Sequence, residues 1–254
     1  MKRIMKSKKI ENKLSFKKSL SPNFSDRNNK RIKYVIIHYT GMKTLKSCLN
    51  KFNSRSSEVS CHWLISKKGT IFKIVDEKKS AWHAGISSWG KERMLNSSSI
   101  GIELDNPGHG KNYKQFSNSQ MKSLEKLLST ILKKYNIDKK NILSHSEIAP
   151  TRKTDPGELF NWKYLAKKKL AYWPSETITI KKNIFFSIGD KGKEILIIKK
   201  KLNKIGFNCS KTYDFDLLLK SIIEAFQRRY LPDEINGIIN SEVCSKIENI
   251  IKNT

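Results

Sequence analysis

The sequence predicts an α/β protein, with a mixed central sheet flanked by helices and a small C-terminal three-helix domain. Three observations carry this. Short apolar, β-branched runs alternate with longer stretches of helical spacing up to residue 171. Trp173-Pro174-Ser175 breaks that alternation. After the break only helical periodicity remains.

Residues 1–20 form a basic arm, rich in Lys and Asn and expected to be flexible. Residues 32–38 read as a buried strand, being short, apolar and β-branched. Residues 44–52 have helical spacing. Residues 61–66 and 70–75 flank Lys67-Lys68-Gly69, a hairpin signal. Ile100, Ile102 and Leu104 alternate with Gly101, Glu103 and Asp105, which predicts a strand with one buried face and carboxylates on the other. Ser117 or Ser119 can cap a helix over 119–135, whose apolar side carries Met121, Leu124, Leu128 and Ile131. A strand is expected at 142–145 and a helix at 162–171. The tail reads as helices at 190–205, 214–230 and 241–252, with Asp214 capping the second and Ser241 the third. The domains are therefore expected at 21–175 and 185–254. A tail of that size is marginal but feasible as an independent fold.

The formal charge is +28. That admits nucleic acid, a membrane surface or an anionic polymer as partner. However, the lysines are spread along the chain and accompanied by Asn and Ile, as in a biased composition. No helix-turn-helix, zinc finger or RNP-like pattern goes with them, so no specific nucleic-acid partner is expected. Nothing approaches the roughly 20 apolar residues of a membrane span. The basic N-terminus has no apolar run after it, so no cleaved signal is read and a cytoplasmic location is expected, with periplasm or cell envelope as the alternative. The four scattered cysteines, Cys48, Cys61, Cys209 and Cys244, read as free thiols.

The chemistry concentrates in His145-Ser146-Glu147-Ile148-Ala149-Pro150-Thr151-Arg152-Lys153-Thr154-Asp155-Pro156-Gly157. A catalytic zinc typically takes three protein ligands from His, Cys, Asp or Glu and keeps a fourth position open. This segment offers His145 and Asp155. His38, at the end of the apolar run Tyr34-Val35-Ile36-Ile37, is the best third ligand. A lone strand-end His is commonly structural, and an Asp before Pro-Gly commonly caps its own turn. The three together favour a metal. Glu103 lies on the polar face of its strand, where a carboxylate can accept a proton from water beside a metal. Lys153, two residues before Asp155, can stabilise an oxyanion there. His62 and His83 are each flanked by a Trp, Trp63 and Trp82, which suits a groove where a sugar or peptide packs on a ring. His109, in a Gly-flanked loop, has no role assigned.

At these residues the chain resembles the zinc-dependent N-acetylmuramoyl-L-alanine amidases of the amidase-2 type, which share a fold with the peptidoglycan recognition proteins. The likeness runs from Ser21 to Trp173. It includes Ser21-Pro22-Asn23-Phe24, Val35-Ile36-Ile37-His38, His62, Ala81-Trp82-His83-Ala84-Gly85, Ser99-Ile100-Gly101-Ile102-Glu103-Leu104 and the His145 to Gly157 segment. The resemblance implies one zinc held by His38, His145 and Asp155, Glu103 as catalytic carboxylate and Lys153 as transition-state stabiliser. It implies hydrolysis of the amide between N-acetylmuramic acid and L-alanine, with peptidoglycan or a muropeptide as partner. A non-catalytic recognition module of the same fold is the alternative. The tail resembles a peptidoglycan-binding helical domain through Gly189-Asp190-Lys191-Gly192-Lys193-Glu194-Ile195 and Phe226-Gln227. It departs from that pattern at Ile198 to Lys201 and in its short Asn236-Gly237 turn.

Overall fold

A computed structural model describes residues 14–110, 112–174, 178, 180 and 183–252. Residues 1–13 of the expected basic arm lie outside the described residues. The strands are β1 (Lys17–Lys18), β2 (Phe24–Asp26), β3 (Tyr34–Tyr39), β4 (Trp63–Ile65), β5 (Ile71–Lys73), β6 (Lys79–Ala81), β7 (Ser88–Trp89), β8 (Glu92–Arg93), β9 (Ser99–Leu104), β10 (Ile142–Ser144), β11 (Phe185–Phe186) and β12 (Ile239–Asn240). The helices are α1 (Leu45–Asn53), α2 (Asn118–Tyr135), α3 (His145–Ile148), α4 (Trp162–Lys167), α5 (Lys193–Ile205), α6 (Leu217–Tyr230) and α7 (Ser241–Lys252).

Six strands form the main sheet in the order β1-β5-β4-β9-β3-β10. β4, β9, β3 and β10 run parallel, and β5 closes the expected hairpin antiparallel to β4. Lys17 and Lys18 pair with β5, so this end of the basic stretch lies along the sheet edge. The period of two in side-chain direction sorts the residues. Val35, Ile37, Ile100, Ile102 and Ile142 pack with the apolar side of α2. Ile36 and Leu143 point the other way, into a core shared with Ile195, Leu219, Phe226 and Val243 of α5, α6 and α7. His38 and Glu103 share the parity of Ile36 and Gly101, and the register sets them side by side.

The expected strand with one apolar face and carboxylates on the other forms as β9, between β4 and β3. Its polar side is largely covered: Gly101 and Asp105 are buried there, and Glu103 is half-buried. The expected α2 begins at its Ser117 cap, whose side chain accepts from Gln120 N. The expected helix at 162–171 stops at Lys167, because Lys169 turns left-handed (φ +60°) and Leu170 N returns to Leu165 O.

The three tail helices form as expected, with different caps. Asp216, not Asp214, caps α6 by accepting from Leu219 N at 2.7 Å. Asp214 pairs at the surface with Lys191 instead. Asn240 accepts from Val243 N at the start of α7, while the Ser241 hydroxyl accepts from Ile184 N. The tail also meets the β7–β8 hairpin. The Phe207 ring stands edge-on to Trp89 at 5.0 Å, and Gly206 lies so close that a Cβ there would sit 2.3 Å from the same indole. No helix among the described residues is long and apolar enough to cross a membrane.

Candidate active site

The spatial order β9-β3-β10 brings Glu103, His38 and His145 into a row at the carboxyl ends of parallel strands. Open α/β sheets place their crevices there. β10 ends at Ser144, and the chain turns at once into α3 through a capping box. Ser144 Oγ accepts from Glu147 N, and the Glu147 carboxylate accepts from Ser144 N. This turn aims His145 back over the strand ends. Asp155 returns to the same point because its carbonyl accepts from Ser146 N at 3.0 Å.

His38, His145 and Asp155 converge as a buried triangle. His38 Nδ1 lies 3.0 Å from His145 Nδ1 and 2.9 Å from Asp155 Oδ2. His145 Nδ1 lies 3.0 Å from the same oxygen. The outer nitrogens of both imidazoles are engaged elsewhere. His145 Nε2 donates to Ala84 O at 3.3 Å. His38 Nε2 meets His83 Nδ1 at 3.0 Å, and His83 Nε2 meets Ser99 Oγ at 3.2 Å. Ser99 Oγ donates onward to Leu95 O, so its lone pair takes the His83 Nε2 proton. His83 Nδ1 is then the bare acceptor for the proton on His38 Nε2. Both histidines thus turn Nδ1 towards the same Asp155 oxygen. Two imidazole nitrogens and a carboxylate oxygen gathered at one spot are a donor set that suits zinc.

Burial, then the neighbouring His145, push His38 down to about 4. Burial opposes the Asp155 carboxylate, but the two histidines override it and hold its pKa below the ordinary value. Glu103 goes the other way. Burial, then the charge of Asp155, raise its carboxyl well above the usual range, against a smaller opposing pull from Lys153. Glu103 Oε2 is buried with no hydrogen-bond partner. A carboxyl that lines the same cleft as the triangle and leaves an oxygen without a partner is suited to exchange a proton there.

Glu103, Lys153, Trp82 and His83 all line the cleft of about 240 Å³ above the triangle. His62 does not. It is fully buried, its Nδ1 accepts from Gly101 N at 2.9 Å, and its Nε2 faces Lys79 O at 3.0 Å. The expectation that His62 touches a ligand is therefore corrected: its ring is used up beneath β9. His83 contacts His38 rather than standing free as a stacking surface.

Several supporting groups were not read from the sequence. Asn96 Oδ1 accepts from both His83 N and Ala84 N, at 3.0 and 2.7 Å, and so fixes the segment that holds both histidines. Gly101 is required where it stands, since a Cβ there would lie 2.4 Å from the His83 ring. His109 joins two loops at the rim, through Tyr39 OH at 2.9 Å and Glu158 Oε2 at 2.9 Å. No local pattern marks these partners. Only a Gly between two isoleucines of a strand is a signal for a close approach.

The N-acetylmuramoyl-L-alanine amidase family model matches residues 28–158, just over half of the chain. The chain belongs to this family, which is zinc-dependent in general. It is 38% identical over 156 residues to N-acetylmuramoyl-L-alanine amidase AmiD of Escherichia coli, covering 57% of this chain and 55% of that protein. It is 41% identical over 113 residues to 1,6-anhydro-N-acetylmuramyl-L-alanine amidase AmpD of Haemophilus influenzae, covering 44% of this chain and 59% of that protein. The chain thus matches little more than half the length of these relatives. The fold is similar to that of E. coli AmiD in complex with its substrate anhydro-N-acetylmuramic acid-L-Ala-D-gamma-Glu-L-Lys, with a TM-score of 0.74, 29% identity and 90% of each chain covered.

Proposed function

We propose that this protein is a zinc-dependent hydrolase that cleaves the amide bond between N-acetylmuramic acid, or its anhydro form, and the L-alanine of peptidoglycan stem peptides, in wall turnover or recycling. The observation that carries this is the buried His38–His145–Asp155 triangle with the unpartnered Glu103 carboxyl beside it. The likeness to AmiD with a bound anhydromuramoyl peptide supports the substrate class. Residues 21–175 are read as the amidase unit and 185–254 as a peptidoglycan-binding-like helical unit.

His38 and His145, through Nδ1, and Asp155, through its carboxylate, would hold the zinc. Bound there, the ion supplies Lewis acidity towards the scissile carbonyl and makes water a nucleophile near neutral pH. Glu103 takes the proton of the attacking water and returns it to the leaving L-alanine amine. Lys153 places its ammonium on the oxyanion that develops at the former carbonyl. Trp82, at the cleft wall, offers a ring against the sugar or the peptide. His83 keeps His38 in the tautomer that ligation needs.

The test is mass spectrometry of anhydro-muropeptides incubated with zinc-loaded and with chelator-treated protein. Free stem peptide and sugar should appear with zinc, vanish on chelation and return when zinc is restored. Intact substrate that co-elutes with the protein would instead mark a recognition module.

A further inference from the structure

Glu147 is a carboxylate of the metal-site turn that the proposed chemistry does not use. It is 1% exposed, and its partner Arg229 is 2% exposed. Glu147 Oε2 accepts from Ser144 N at 2.7 Å and from Ser144 Oγ at 2.9 Å, which closes the turn that begins with His145. Ser146 of the same turn holds the Asp155 carbonyl. Arg229 reaches this point from α6. Its Nη1 donates to both Glu147 oxygens, at 3.0 and 2.9 Å, and to Ile142 O at 3.0 Å. Its Nη2 donates to Tyr172 O at 3.2 Å, and the guanidinium lies 4.0 Å from the centroid of the Trp162 ring. One cation therefore ties together the strand before His145, the turn that carries it, and the segment after Asp155.

We propose that Arg229 is a positioning residue for the metal centre. It acts through Glu147 on the placement of His145 and Asp155, and so makes the C-terminal helical unit part of the framework of the site. The inference rests on the metal-site reading above. Without the guanidinium the Glu147 carboxylate loses both bonds from Nη1 and its tie through Arg229 to Ile142 O and Tyr172 O, so the bonds it accepts from Ser144 lose their anchor and the first turn of α3 loosens. Lys at 229 would keep the charge. As a single point donor it cannot also serve Ile142 O and Tyr172 O in the same geometry.

The test uses the full chain with Arg229→Met, Arg229→Lys, Glu147→Gln and, as a control, Phe207→Ala. Phe207 packs in the same inter-unit contact, edge-on to Trp89 and against Phe226, but its ring can make no hydrogen bond to the α3 turn. Two quantities are read: zinc affinity by chelator competition, and hydrogen exchange of residues 142–149 in metal-free protein. Arg229→Met should weaken zinc by about tenfold or more and speed exchange across 142–149. Arg229→Lys should recover part of both, and Glu147→Gln should resemble Arg229→Met. Phe207→Ala should lower the melting temperature and move both quantities far less than Arg229→Met. A folded Arg229→Met protein with wild-type affinity and exchange overturns the proposal, and so does an equal effect from Phe207→Ala. If Arg229→Met does not fold, Arg229→Lys and Glu147→Gln decide it by the same two readings. Wild-type protein that binds no zinc refutes the metal-site reading, and the exchange comparison then decides the role of Arg229 by itself.

Discussion

Glu103 shows what burial does to one residue. On a solvated strand face its carboxyl would be an ordinary surface acid. On β9, between β4 and β3, it is half-buried at the cleft, and its Oε2 is buried with no hydrogen-bond partner. Glu103→Gln keeps the shape and removes the base. It should bind zinc as the parent does and lose about 10²–10⁴-fold in turnover, measured as released stem peptide. Full turnover by the zinc-loaded variant would exclude the assigned role. Gly101→Ala tests the support of His38. The new methyl group would drive the His83 ring off its place 2.4 Å away and remove the acceptor for His38 Nε2. Zinc affinity should fall about 10- to 100-fold, and an unchanged chelator titration would show that His83 does not hold its neighbour. At this scale the ligand types were legible, because His, His and Asp at two strand ends and a turn are an unusual combination. Their outer partners were not: Ala84 acts on His145 through a carbonyl that any residue carries, and His83, singled out for a ligand-binding role, instead meets His38.

At the level of elements, periodicity located β3, β4, β5, β9, β10 and the longer helices but not the other short strands, and local chemistry located fewer of the ends. The tail is the clearest case. Asp214 and Asp216 look alike in sequence, two residues apart and ahead of the same apolar run. Only Asp216 stands at the N-cap, where its side chain can accept from Leu219 N, while Asp214 is bridged to Lys191 further back. Asp216→Ala should lower stability by about 1 kcal/mol or more, with an added loss because buried Lys199 also leans on that carboxylate at 3.1 Å. Asp214→Ala breaks only an exposed pair with Lys191, worth about 0–1 kcal/mol. Urea unfolding of the two variants should separate them in that order, and the reverse order would assign the cap to Asp214. α3 is too short to have been recognised by periodicity. It forms because Ser144 and Glu147 satisfy each other's backbone donors, an arrangement worth about 1 kcal/mol at the cap. Ser144→Ala should therefore both destabilise the protein and weaken zinc, since the turn it closes carries His145.

For the whole molecule, the two expected domains share one hydrophobic core. Ile36, Leu143 and Ile148 from the sheet side lie in a cluster with Leu219, Phe226 and Ile247 from the tail. Units joined this way should unfold together, since neither can lose its partner without exposing that surface. Calorimetry of the full chain should give a single transition, and two resolved transitions would show that the tail folds by itself. Ending the chain at residue 174 should yield a protein that binds hydrophobic dyes and aggregates, because Leu143 and Ile148 would face water and Glu147 would lose Arg229.

What the sequence determined by itself is local and periodic. Alternating side chains assigned Ile100 and Ile102 to one face of a strand and Glu103 to the other. Spacing of apolar residues defined α2 and the three tail helices, and residue type singled out His38, His145 and Asp155. Tertiary structure decided what covers each face and which groups meet across long separations. His38 meets His145 across 107 positions, and Glu147 meets Arg229 across 82. Periodicity reports a residue's direction relative to its own backbone. It holds nothing about the surface brought against that direction, because that surface is set by the packing of the whole chain at once. For that reason His62, equal to His83 as a candidate on local grounds, ends beneath β9, while Arg229, which had no motif to mark it, ends against the metal-site turn.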